Sequence, residues 1–191
     1  MSNNKNNTAL LVMDMQKAML ASFAAPATLI SSVAKAIANA RSKGIPVIYV
    51  VVGFRQGAPE ISANNKGFMA NKQLFANISP TEFTAIHPDL APLDNECIVP
   101  KRRVSAFSGS DLEILLRAQN IEHIVLTGIV TSGVVLSTVR EAADKDYRIT
   151  VLSDGCADRD EEVHQFLNAK VFPRQADVLT VGEWQNNETT S

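Results

Sequence analysis

Short runs of apolar, mostly β-branched or leucine-rich residues recur along this chain, with helical patterns between them. That alternation limits the fold more than any other feature. Residues 9–13 (ALLVM) and 46–52 (PVIYVVV) are apolar throughout, and 123–127 (HIVLT) and 148–152 (RITVL) are of the same kind. A strand with one face in water alternates in polarity, so a strand without alternation needs cover on both faces, as in a parallel sheet. Residues 27–42 carry Leu29, Ile30, Val33, Ile37 and Ala40 at helical spacing, and Gly44 closes that helix. Further strands are expected at 97–99 and 177–180, and further helices from Ser110-Asp111 through Gln119, over 133–145 and over 161–171. Residues 53–91, with Gly57, Pro59, Pro80 and Pro88, read as an irregular segment, either a functional loop or a partly ordered one, and the sequence leaves open whether it closes over the site as a lid. This order implies an α/β fold, a three-layer α-β-α sandwich around a mostly parallel sheet of about six strands.

With 191 residues, 46% of them apolar and 20% charged, the chain has material for one sizeable core, so 1–191 is expected to be a single domain. A net charge of −2 with interspersed signs argues against nucleic acid or an anionic membrane as the main partner and favours a small-molecule substrate. The polar start MSNNKNNT has no signal-like apolar core, and no run approaches the roughly 18 apolar residues of a membrane span. A cytoplasmic location is the expectation. Cys97 and Cys156 show no C-x-x-C spacing, and His87, His123 and His164 form no ligand pattern. No metal or cofactor is implied, and the histidines read as structural or exposed.

In a parallel sheet, ligands collect beyond the carboxyl ends of the strands. Asp14 follows the first strand, Lys101 the strand at Cys97, and Thr131, Ser132, Gly133 and Val134 the strand at His123. N–H groups at the start of the helix after Gly128 would favour an anion. A lysine beside a buried carboxylate is expected to keep it ionised. From the residues alone, Asp14 equally fits a turn-capping carboxylate. Arg55 fits either a clamp on a substrate carboxylate or an exposed loop arginine.

Three ordered segments carry a family resemblance. Thr8 to Gln16 reads TALLVMDMQ, Pro100 to Phe107 reads PKRRVSAF, and Leu126 to Ala142 contains Gly128, Thr131, Thr138 and Ala142 at fixed spacing. Together they resemble the isochorismatase-like hydrolases, also called cysteine hydrolases. The resemblance gives Asp14 the role of acid/base carboxylate and Lys101 that of catalytic lysine. It puts Val134 where the family has its nucleophilic cysteine, and valine cannot attack a carbonyl. Family members are commonly homo-oligomers, so a homo-oligomer is expected. The metal motif of the nicotinamidase branch is replaced here by Val51-Val52-Gly53-Phe54-Arg55.

Isochorismatases of the same family also lack the cysteine and use the aspartate for proton transfer. The resemblance therefore implies water attack assisted by Asp14 and Lys101, on a vinyl-ether or C–N bond, with Thr131 to Val134 and Arg55 as substrate-binding residues. Departures remain: Arg102 and Val104 stand for Trp and Tyr of true isochorismatases, Val130 and Ser132 for Tyr and His, and Val134 for Gly. The alternative is a non-catalytic metabolite-binding or interaction protein on the same fold.

Overall fold

A computed structural model describes residues 7–23 and 26–187. The chain runs β1 (Thr8–Met13), α1 (Lys17–Leu20), α2 (Pro26–Ser42), β2 (Val47–Val52), α3 (Lys66–Met69), α4 (Lys72–Asn77), α5 (Pro80–Phe83) and β3 (Cys97–Lys101). It continues through α6 (Leu112–Ala118), β4 (His123–Ile129), α7 (Leu136–Asp144), β5 (Arg148–Ala157), α8 (Glu161–Phe166), β6 (Asp177–Leu179) and α9 (Val181–Asn187). The six strands form one sheet in the order β3-β2-β1-β4-β5-β6, and every pairing is parallel.

Because successive side chains of a strand point to opposite faces, the apolar strands divide their residues between two layers. Leu10, Val12, Val47, Tyr49 and Leu152 pack on one side with Leu29, Ile30 and Val33 of α2 and with Val181 and Trp184 of α9. Ala9, Leu11, Met13, Ile48, Val50 and Val151 pack on the other with Leu112 and Leu116 of α6, with Val135 just before α7, and with Val139 and Ala142 of α7. This is the expected three-layer arrangement.

Several local expectations are corrected. Residues 53–91 are not irregular throughout, because α3, α4 and α5 lie there and Pro88–Leu90 forms a 3-10 turn. These helices of four to six residues are too short for a periodic pattern to register. They close over a separate apolar cluster of Val52, Phe54, Ala58, Ile61 and Phe83, in which the rings of Phe75 and Phe83 lie 5.1 Å apart. β5 runs on to Ala157 instead of ending at Leu152 as the apolar run 148–152 suggests, so Cys156 lies in a strand. Helix α9 was not expected; its own Trp184 is 2% exposed and packs into the core. The helix at 161–171 relaxes after Phe166 into a wider π-type turn, Leu167–Val171.

Both cysteines are free: Cys97 is exposed, while Cys156 is buried, its thiol pushed up to about 12 by desolvation. His123 is buried between Thr8, Thr150 and Arg148. Desolvation first, and then the Arg148 charge, lower its pKa to about 4. No helix among the described residues is long and apolar enough to cross a membrane.

Candidate functional site

Strand order reverses direction on either side of β1, so the carboxyl ends of β1 and β4 flank a topological switch point. Asp14 is the first residue beyond β1. Its backbone turns into the left-handed region (φ 56°), and its N–H donates to Val50 O at 2.8 Å. Lys101 is the last residue of β3, in register with Val52. Two strand spacings, roughly 10 Å, separate the backbones of β1 and β3, and the long lysine side chain crosses the end of β2 to close that gap. Lys101 Nζ lies 2.9 Å from Asp14 Oδ2, and both side chains are buried (2% and 6% exposed).

The ammonium also donates to Arg103 O at 3.1 Å and Val104 O at 2.9 Å, which uses all three of its N–H donors. Asp14 Oδ1 accepts from Val52 N at 3.0 Å. Burial raises the Asp14 pKa, and the Lys101 charge, its hydrogen bond and the Val52 N–H only partly offset this. Lys101 favours the ionised carboxylate, as expected, but desolvation is the larger effect, so the carboxyl holds its proton more tightly than an ordinary aspartate does.

Beyond β4 the chain passes Val130 into a π-helical turn, Thr131–Val135, that leads into α7. Thr131 is fully buried and Val134 is 2% exposed, packed in the apolar layer with Met13 and Ala106. Ser132 is exposed. Gly133 folds closely against Val130, because a Cβ there would meet Val130 Cγ2 at 2.9 Å. Thr138 Oγ1 accepts from Ala106 N at 3.0 Å. This ties α7 to the segment after Lys101 and brings two of the sequence motifs together.

Not every expected feature joins this group. The N–H groups of the turn are less available to an anion than the sequence suggested: Ser132 N donates to Asp158 Oδ2 at 2.7 Å, and Gly133 N and Val135 N donate to Val130 O at 3.0 and 3.4 Å. Arg55 is not brought to the carboxylate and lysine; its guanidinium pairs with Glu60 at 2.7 Å, and Glu60 also lies 3.5 Å from Arg102 Nε.

Other residues were missed. Gln16 is fully buried, accepts from Val52 N at 2.9 Å and donates to Val52 O and Phe83 O. Val104, 41% exposed, lies 4.0 Å from where a Gly133 Cβ would stand and so borders the site with an apolar surface. His164, expected to be structural or exposed, reaches the turn through Thr131 Oγ1 at 2.8 Å. Among the described residues no set of three or more His, Cys, Asp or Glu side chains is gathered as a metal site.

Fold and site together define a doubly wound α/β protein with a buried carboxylate–ammonium pair at its switch point. The chain belongs to the isochorismatase family, whose isochorismatase domain matches residues 8–183. It is 32% identical over 186 residues to the uncharacterized isochorismatase family protein YecD of Escherichia coli O157:H7, covering 96% of this chain and 97% of that protein. It is 32% identical over 170 residues to the ureidoacrylate amidohydrolase RutB of Serratia proteamaculans (strain 568), covering 77% of this chain and 68% of that one. Among solved structures, a cysteine hydrolase from Pseudomonas syringae pv. phaseolicola 1448A shares the fold with a TM-score of 0.87 at 24% identity, over 96% of this chain and 93% of that chain.

Proposed function

We propose that this protein is a hydrolase of small molecules in which Asp14 and Lys101 work without a cysteine nucleophile. One observation carries the reading: a carboxylate and an ammonium 2.9 Å apart, both buried, at the switch point of a parallel sheet. Valine at position 134 supplies no nucleophile, so water takes that part. A carboxyl with a raised pKa suits a general acid, which protonates the leaving nitrogen or a vinyl-ether carbon; the carboxylate left behind draws a proton from the attacking water. Lys101 holds the carboxylate in place and limits the negative charge that develops there. Of the four turn residues expected to bind substrate, Ser132 and Gly133 are within reach of a ligand on the β4 side, whereas Thr131 and Val134 are buried in the core and act only by shaping the turn; Arg55 meets a substrate carboxylate only by exchanging it for Glu60.

The amidohydrolase name of the Serratia relative favours a C–N bond over a vinyl ether. The test measures ammonia release from a panel of amides and ureido compounds and pyruvate release from isochorismate, each with Asp14→Asn as control. Turnover should appear in one arm and fall at least 100-fold in the variant, the scale on which positioned acid–base groups act. Turnover that survives Asp14→Asn removes this carboxyl from the chemistry.

A second reading, a non-catalytic binding protein on the same fold, is favoured by the saturation of the site. All three Lys101 donors and three N–H groups of the turn already have partners. It predicts stabilisation by a ligand that is recovered unchanged.

A further inference from the structure

We propose that His164 is a positioning residue, which acts through the Thr131 hydroxyl to fix the turn Thr131–Val135 beside the Asp14–Lys101 pair. This rests on the reading above, in which that pair is where the chemistry happens. The turn has bonds of its own, from Val135 N to Val130 O at 3.4 Å and from Leu136 N to Thr131 O, and π-type turns are rare and frequent at functional sites. Its Thr131 side chain and its Ser132 N–H are held from outside. Two consecutive residues are gripped by one segment, the one running from the end of β5 into α8. Asp158 takes the Ser132 N–H at 2.7 Å, and His164 Nδ1 meets Thr131 Oγ1 at 2.8 Å.

The two grips differ. Asp158 also accepts from the N–H groups of Arg159 and Asp160, so it is in addition the cap of its own loop. The imidazole instead reaches across 33 residues of sequence to a threonine that is completely buried, where its hydroxyl has no water to fall back on. The ring is itself braced. Asn168 Nδ2 lies 3.4 and 3.2 Å from its two nitrogens and donates to His164 O at 3.0 Å, which holds the imidazole on the turn. On the far side of the same turn, Val134 is sealed into the apolar layer and Gly133 is pressed against Val130. With the hydroxyl released, the segment carrying Ser132 and Gly133 loses the contact that keeps it in register with Asp14.

The test uses His164→Ala, Thr131→Val, Thr131→Ser and the double variant of the first two. Hydrogen exchange of the amides at 132–135 is read alongside turnover of whichever substrate the Asp14→Asn control validates. His164→Ala and Thr131→Val should each speed that exchange about tenfold and lower kcat by about 10- to 100-fold, the penalty of a small misplacement, with a smaller change in KM. Their effects should not add in the double variant, and Thr131→Ser, which keeps the hydroxyl, should retain the slow amide exchange that Thr131→Val loses. Unchanged exchange and kcat in His164→Ala, while Asp14→Asn abolishes turnover, would overturn the inference and leave the hydrolase reading intact. Additive losses would overturn it too. Should Asp14→Asn leave turnover untouched, the hydrolase reading fails instead and the exchange rates alone decide whether His164 holds the turn. If His164→Ala does not fold, the contrast between Thr131→Val and Thr131→Ser carries the test.

Discussion

Taking the ammonium away from Asp14 strands a carboxyl group that is 6% exposed. Breaking a buried ion pair from one side typically costs about 3 to 5 kcal/mol, because the surviving charge is left without compensation. Lys101→Met is expected to lose that much at neutral pH. The sign of its pH dependence follows from the raised Asp14 pKa. A native carboxyl that binds its proton more tightly than an unfolded aspartate does is favoured in acid, and its penalty grows as pH rises through the raised native value. Without the ammonium that value is raised further, so the loss should be smaller in acid than at neutral pH in urea titrations; equal losses at both would contradict it. The meeting of Asp14 and Lys101 was legible in the sequence, because both follow apolar runs that had to be parallel strands. The balance of burial against charge was not, since it depends on how completely the site is sealed. His164 was invisible for a different reason. No local spacing links it to Thr131, and only the adjacency of β4 and β5 makes them neighbours.

At the scale of elements, β1 and β4 come closer at Gly128 than any side chain allows. Gly128 has φ 138°, and a Cβ there would stand 2.1 Å from Met13 O. A backbone atom cannot swing aside as a side chain does, so Gly128→Ala must push apart the two strands that flank the switch point. The expected cost is about 3 kcal/mol or more, combining strain at a glycine-specific conformation with a backbone clash. Chemical denaturation measures it, and a loss below about 1 kcal/mol would mean that the strands yield easily. The strands β1, β2 and β4 were read nearly to their ends because burial on both faces leaves an uninterrupted apolar run. β5 was cut short at Leu152, where Ser153, Asp154 and Gly155 imitate a turn although the strand continues to Ala157. Polar residues near the open edge of the sheet are placed by what they face, and Asp154 accepts from Val181 N at 2.7 Å.

Across the whole molecule, the segment between β2 and β3 closes the β2 side of the site without being free to act as a swinging lid. Phe54, Phe68, Phe75 and Phe83 give it a small aromatic core of its own. Its far end is stitched to the chain just past β1: Lys17 N donates to Ala85 O at 2.9 Å, and His87 N to Met15 O at 3.0 Å. Gln16 completes the attachment, because its amide spans from Val52 at the end of β2 to Phe83 O in α5. The residue that resembles half of a family motif is thus, in physical terms, a joint between the sheet and its covering segment. Gln16→Ala leaves Phe83 O without this donor and opens a void in a fully buried position, at an expected cost of about 2 kcal/mol or more. The loss should be unevenly distributed, since local opening follows the weakest attachments. Hydrogen exchange and limited proteolysis should show residues 53–91 opening far more readily than the wild type, while β4 and β5 stay protected. If protection falls evenly over the whole chain, the segment is continuous with the main core and Gln16 is an ordinary core residue. If it falls only in 53–91, the segment is a separately attached cover, and its closure against the end of β2 depends on one glutamine.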